Sequence, residues 1–221
     1  MTYKTNARLA GFMFLLYTAA AIAQQVLLGP IISGAGVAAK LASISQHATS
    51  MSLVAVLSMV TVLTAVVLAV ALYAITRDAD HDLALLALCC RLAEGVFNVF
   101  PALAWTGLLW LATQTPTTPA ETAAAVGGLL LKVPGWSTSV SAICFGVGST
   151  LFSYLFLTVR SIPVPLAWLG VLSSVLVVVG TPLEFMGFIT ARWFLWMPIL
   201  PFELALAFWL LIKVAPRQAI Q

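Results

Sequence analysis

Six long apolar segments are the feature that most constrains what this chain can fold into. A helix of about 20 residues crosses the hydrocarbon core of a bilayer, which is about 30 Å thick. The segments fall at residues 8–28, 50–75, 82–112, 136–159, 166–189 and 193–214. They are apolar on every side instead of alternating apolar and polar residues, which favours helices over a β-barrel. The sequence therefore predicts an all-α, polytopic integral membrane protein, a bundle of six transmembrane helices.

The composition leaves little material for a surface that faces water. Charged residues make up 8% of the chain and hydrophobic residues 62%, whereas a soluble domain carries about 25% charged residues. We expect one transmembrane helical domain over residues 1–221. The basic residues are scattered, which argues against a nucleic-acid partner, and membrane lipids are the expected surroundings.

Basic residues at the segment ends predict the orientation, because cytoplasmic loops carry an excess of Lys and Arg. One side carries six of them: Lys4, Arg8, Arg77, Arg160, Lys213 and Arg217. The other side carries three: Lys40, Lys132 and Arg192. Both termini are therefore expected in the cytoplasm, and the expected location is the cell's inner (cytoplasmic) membrane, crossed several times.

Prolines predict where the apolar helices are interrupted. Pro101 has no amide N–H to donate to the helix and is the expected kink of the long third segment. Pro182 is the expected kink of the fifth segment, and Pro198 and Pro201 are expected to disturb the outer half of the sixth.

Two connections are longer than turns, residues 29–49 and residues 113–135. The first is expected to contain a short helix on the outer surface. In the second, Thr117 or Thr118 before Pro119 has the pattern of a helix start. Gly127 and Gly128, which follow, are expected to weaken that helix.

Polar residues form one stripe inside the third segment. Arg91, Glu94, Asn98, Pro101 and Trp105 are spaced three and four residues apart, which places them on one helix face. Arg91 and Glu94 are close enough in sequence to touch. Because a charge at the middle of a membrane helix costs about 2.5–3.5 kcal/mol, we expect the stripe to face other helices or an aqueous pocket.

A second buried charge is expected at Glu203, in the sixth segment. Glu203 lies about 15 Å from Lys213 along a helix, and Arg91 lies about 13.5 Å from Asp82. These two depths match, which predicts that Arg91 meets Glu203 across the third and sixth helices. Two carboxylates beside one guanidinium leave an excess negative charge, so we expect one of them to hold a proton near neutral pH.

Several chemistries lack the residues that they need. The two histidines, His47 and His81, fall outside the apolar segments, so a haem or metal held between helices is not expected. The chain has no HExxH, P-loop or GxGxxG motif. We therefore expect neither a cofactor nor a metal.

Three functions remain open, and no catalytic residue is assigned. In the first, the protein binds or transports a small or lipidic ligand at Arg91, Glu94, Asn98 and Glu203, and a carrier of this size is expected to form a homodimer. In the second, it is a membrane-embedded enzyme that uses paired carboxylates on a lipid or isoprenoid. In the third, it is a structural or accessory subunit whose polar cluster is dry and fully paired.

Four stretches of the chain resemble a known family. They are ARLAGFMFLLY at residues 7–17, LALCCRLAEGVFN at 86–98, SIPVPLAWLGVLS at 161–173 and ELALAFWLLIKV at 203–214. In order and spacing they resemble the bacterial membrane-protein family catalogued as domain of unknown function 4386, over nearly the whole chain. The resemblance marks Arg8, Arg91, Glu94 and Glu203 as the matching polar positions and implies no established activity.

Overall fold

Helices make up the described part of the chain. The computed structural model describes residues 2–114, 118–189 and 192–213, and these residues form nine α-helices and no β-strand. In chain order the helices are α1 (Tyr3–Ile31), α2 (Gly36–Gln46), α3 (Ala48–Thr76), α4 (His81–Phe97), α5 (Val99–Gln114), α6 (Ala120–Thr158), α7 (Val164–Phe185), α8 (Arg192–Trp196) and α9 (Ile199–Ile212).

Six stretches of these helices are long and apolar enough to cross a bilayer. Their bounds are Tyr3–Ile31, Ala48–Thr76, His81–Gln114, Ala120–Thr158, Val164–Phe185 and Phe194–Ile212. The six predicted apolar segments of an all-α protein are thus confirmed as helices of sufficient length, and their insertion in a membrane stays a prediction.

The fourth of these stretches begins earlier than predicted. Helix α6 starts at Ala120 and runs for 39 residues through Pro134, whereas the sequence placed the start of the fourth segment at residue 136. Thr118 and Pro119 do precede the helix, as expected, and Thr117 lies outside the described residues. The expected weakening at Gly127 is offset by packing, since a Cβ there would lie 2.9 Å from Val37 of α2.

The other predictions for the connections and prolines have mixed outcomes. Helix α7 continues through Pro182 to Phe185, and a kink at that proline stays a prediction. Helix α2 is the short helix expected between the first two segments, and it buries Leu41 and Ile44. Helix α8 ends before Pro198, and Pro198 is the N-cap of α9, so the disturbance expected in the sixth segment is confirmed. The position of α2 on the outer surface of the membrane stays a prediction.

The described residues divide into two compact units. The first unit comprises those of Met1–Leu16, Thr64–Gly95 and Ser139–Gln221. Its core is built from the large apolar side chains of α1, α3, α6, α7 and α9, and its buried members include Phe14, Leu68, Phe152, Phe156 and Leu206. This unit contains Arg91, Glu94 and Glu203.

The second unit comprises Tyr17–Leu63 and the described residues of Val96–Thr138. Its core draws on α1, α2, α3, α5 and α6, with Leu28, Ile44, Met51, Trp105 and Leu108 among its buried members. This unit contains Asn98. The expectation of a single domain stays a prediction.

Candidate functional site

An ion pair within one helix is the centre of the charged cluster in the first unit. Arg91 and Glu94 lie one turn apart on α4, and Arg91 Nη1 is 2.8 Å from Glu94 Oε2. Both side chains are 1% exposed. The sequence predicted this contact from the spacing of three residues, and the structure confirms it.

Helix α6 makes three kinds of contact with the Arg91 side chain. Arg91 Nη1 donates to Ser149 Oγ at 3.5 Å. Its Cζ lies 4.7 Å from the centroid of the Phe145 ring, a cation–π geometry whose stabilisation grows when water is excluded. Gly148 leaves room for the aliphatic stem, because a Cβ there would lie 2.9 Å from Arg91 Cγ.

The guanidinium still has hydrogen-bonding capacity that these contacts leave unused. Arg91 Nε and Nη2 have no hydrogen-bond partner among the described residues. A guanidinium has five N–H donors, and a buried donor without a partner costs free energy. The guanidinium therefore has donors left for one more acceptor.

Glu203 of α9 belongs to the same electrostatic environment. Its side chain is buried, at 6% exposure, and it interacts electrostatically with both Arg91 and Glu94. The ion pairs of the described residues, however, include none between Arg91 and Glu203. The predicted direct contact between these two is therefore wrong: the residue count gave their depths but neither the rotation nor the separation of the two helices, and Arg91 pairs with Glu94 on its own helix.

A break in the third crossing stretch lies at Asn98, between α4 and α5. Pro101 has no N–H to donate to the carbonyl four residues earlier, that of Phe97, and its ring crowds that carbonyl. The Ser137 hydroxyl of α6 donates a hydrogen bond to the freed Phe97 oxygen. The interruption predicted from Pro101 is thus confirmed, at the residues that precede the proline.

A cavity of about 190 Å³ lies in the second unit, beside this break. Its lining residues come from α1, α3, α5, α6 and the break itself: Tyr17, Ala21, Gln24, Gln25, Leu28, Ser58, Thr61, Asn98, Pro101, Trp105, Pro134 and Thr138. None of them is an Asp, Glu, Lys or Arg. Pockets for drug-sized ligands measure about 300–1,000 Å³, so this cavity suits a smaller molecule or one end of a larger one.

One residue of the cavity wall has a buried polar group without a partner. Trp105 is 4% exposed, and its indole Nε1–H has no hydrogen-bond partner within the described part of the chain. A buried Trp usually finds such a partner. Two hydroxyl groups of the wall already donate to backbone carbonyls. Ser58 donates to Val54 at 2.9 Å, and Thr138 donates to Pro134 at 2.7 Å. The oxygens of those two hydroxyls keep acceptor capacity.

The comparison with protein families matches residues 9–213 to the family described as Domain of unknown function (DUF4386). The chain belongs to this family. Comparisons of this DUF4386 protein with curated proteins and with solved structures give no significant match.

The four predicted site residues of this DUF4386 protein fall into two groups. Arg91, Glu94 and Glu203 lie together in the first unit, and Asn98 lines the cavity of the second unit. The stripe read from the sequence is therefore divided at the helix break, and Pro101 and Trp105 continue it on the cavity side.

Sequence reasoning missed most of the residues that complete the two sites. Ser149 and Phe145 contact Arg91 from α6, and their spacing in the sequence resembles that of ordinary packing residues. Gln24 and Gln25, two amides inside an apolar segment, were the signal for the cavity wall contributed by α1.

Proposed function

We propose that this DUF4386 protein is a multi-pass membrane protein that binds an uncharged molecule with several hydrogen-bonding groups in the cavity beside Asn98. The observation that carries the proposal is the cavity wall of polar but uncharged side chains, such as Ser58, Asn98 and Thr138. Trp105 also lines the cavity, and its buried indole N–H lacks a partner among the described residues. A ligand oxygen that accepts from this N–H would remove the cost of an unsatisfied buried donor.

The chemistry of the wall supports an uncharged ligand. No charged side chain is among the lining residues, and a charged group brought out of water needs a counter-charge to offset its desolvation. The hydroxyl oxygens of Ser58 and Thr138 favour a ligand that also donates. A molecule with hydroxyl or amide groups meets both requirements, either as a free solute or as the uncharged polar part of a lipid.

Membrane insertion is supported by the apolar side chains that the helices leave uncovered. Val26, Leu63, Trp110, Leu172 and Ile212 are each more than 60% exposed and lie in the stretches long enough to cross a bilayer. Soluble monomers rarely expose apolar surface on this scale. Hydrocarbon is the solvent in which such surfaces are stable.

The cavity is tested by filling it. Replacing Ala21 with methionine adds a side chain at the cavity wall, and we expect the protein to lose the molecule that it carries when purified from membranes. Native mass spectrometry measures the loss, and the mass of the adduct distinguishes a small solute from a lipid. Trp105→Phe should weaken the same adduct by about tenfold, the equivalent of about 1.4 kcal/mol for one lost hydrogen bond.

The matched control for this experiment lies two residues away on α1. Ala19 is exposed and is not part of the cavity lining, so Ala19→Met should leave the adduct unchanged. An adduct that survives Ala21→Met and Trp105→Phe at wild-type level would contradict binding in this cavity. So would a wild-type protein that carries no adduct and acquires none from native lipid extract or membrane-free lysate.

In the proposed orientation, the protein spans the inner membrane of the cell and both termini lie in the cytoplasm. Six basic residues lie at the segment ends of one side and three at those of the other. Because cytoplasmic loops are enriched in Lys and Arg, this excess supports the orientation. Green fluorescent protein fused to the last residue should therefore fluoresce, and alkaline phosphatase at the same position should be inactive. The reverse pair of results would invert the orientation.

A further inference from the structure

The charged cluster of the first unit has an unequal number of positive and negative groups. It brings together one guanidinium, from Arg91, and two carboxyl groups, from Glu94 and Glu203. All three side chains are at least 94% buried. With both carboxyl groups ionised, the cluster would carry an uncompensated negative charge, which is costly away from water.

The two carboxyl groups have different partners. Glu94 has the Arg91 guanidinium at 2.8 Å. Glu203 has neither a direct ion pair nor a hydrogen bond within the described residues. A proton neutralises the carboxyl group that lacks a cation more favourably than the one that already has it.

We propose that Arg91, Glu94 and Glu203 form a site that binds one exchangeable proton, and that Glu203 is the carboxyl group that holds it. Binding adds one proton from water to a carboxylate oxygen of Glu203 and involves no redox change. The protonated cluster has a net charge of zero, with Arg91 and Glu94 paired and Glu203 neutral.

Arg91 also has the groups that would stabilise the cluster when the proton leaves. Its Nε and Nη2 donors are buried and have no hydrogen-bond partner among the residues described. Deprotonated Glu203 would be a strong acceptor for them, since hydrogen bonds between charged groups are about twice as strong as neutral ones. One guanidinium can thus serve one carboxylate or two, and the loss of the proton would draw Glu203 towards Arg91.

Within the described part of the chain, few other ionisable groups interact with the cluster. Cys144 of α6 interacts electrostatically with Glu94, and Cys90 of α4 interacts with Cys144. Of the other helices that pack against α9, α7 carries Glu184 near its end and α8 begins at Arg192. Helix α1 carries Lys4 and Arg8 near its start.

Infrared difference spectroscopy between acidic and alkaline buffer tests the proton site directly. We expect wild-type protein in lipid nanodiscs to show the carbonyl stretch of one buried, protonated carboxyl group. Glu203→Gln should remove this band. Glu203→Asp should shift its frequency, because the carbonyl then belongs to a different side chain.

An exposed glutamate supplies the control for the infrared experiment. Glu121 is exposed in the first turn of α6, so Glu121→Gln should leave the buried band unchanged. A wild-type spectrum without this band would overturn the proposal, and so would a band that persists in Glu203→Gln or keeps its frequency in Glu203→Asp. Because Glu203→Asp keeps a carboxyl group, the assignment stays testable where Glu203→Gln does not fold. None of these variants alters a residue of the cavity lining, so binding there is tested separately.

Discussion

Replacing Arg91 with methionine should lower the free energy of unfolding by about 3–5 kcal/mol, the usual cost of removing one partner from a buried ion pair. The substitution leaves the Glu94 carboxyl group, at 1% exposure, without its cation. It also removes the contacts with Phe145 and Ser149. Equilibrium unfolding in mixed detergent micelles, followed by circular dichroism, measures the change.

Two further variants separate charge from packing. Arg91→Met combined with Glu94→Gln removes both charges of the pair, and it should recover most of the lost stability. Arg77 is the exposed counterpart, with a side chain 56% exposed at 3.9 Å from Asp78, and Arg77→Met should change stability by about 0.5 kcal/mol or less. Equal effects of Arg91→Met and Arg77→Met would contradict a buried, paired Arg91.

Replacing Gly148 with alanine should also destabilise the fold, by about 1–3 kcal/mol from overpacking. The new Cβ would lie 2.9 Å from Cγ and 3.0 Å from Cδ of Arg91, and 3.1 Å from the carbonyl oxygen of Ala87. Arg91 cannot move away without leaving Glu94, and the Ala87 oxygen is part of the helix backbone. The gain of about 1 kcal/mol in helix propensity from glycine to alanine offsets only part of this cost.

Gly135 of the same helix supplies the matched control. A Cβ there would have no neighbouring atom within 4 Å, so Gly135→Ala should be neutral or slightly stabilising. Melting temperatures of the two variants in the same detergent compare them directly. A Gly148→Ala protein that melts at or above the temperature of Gly135→Ala would show that α6 does not pack against Arg91 as closely as described.

The number of crossing stretches could be predicted from the sequence because hydrophobicity over about 20 residues is a local property. The Arg91–Glu94 pair was predictable for the same reason, since three residues along a helix fix the neighbour. The start of α6 was not, because Gly127 weakens a helix in isolation and is compensated by its packing against Val37 of α2. Local preference gives way to tertiary contact at such positions.

A contact between Arg91 and Glu203 could not be predicted reliably from the sequence. Counting residues gives the depth of each side chain along its own helix, but it gives neither the rotation of the helices nor their separation. The cavity was still less accessible to prediction. It requires a helix break at Asn98, a Ser137 hydroxyl that takes the Phe97 carbonyl, and walls from several helices.

The uncharged cavity binds the ligand in this account, whereas the charged cluster of Arg91, Glu94 and Glu203 does not. Native mass spectrometry of Ala21→Met beside the Arg91→Met/Glu94→Gln double variant tests it most directly. We predict that Ala21→Met loses the bound molecule and that the double variant, with its cavity lining intact, retains it at wild-type occupancy. Loss of the molecule from the double variant together with its retention by Ala21→Met would contradict the account and assign the ligand to Arg91 and Glu94.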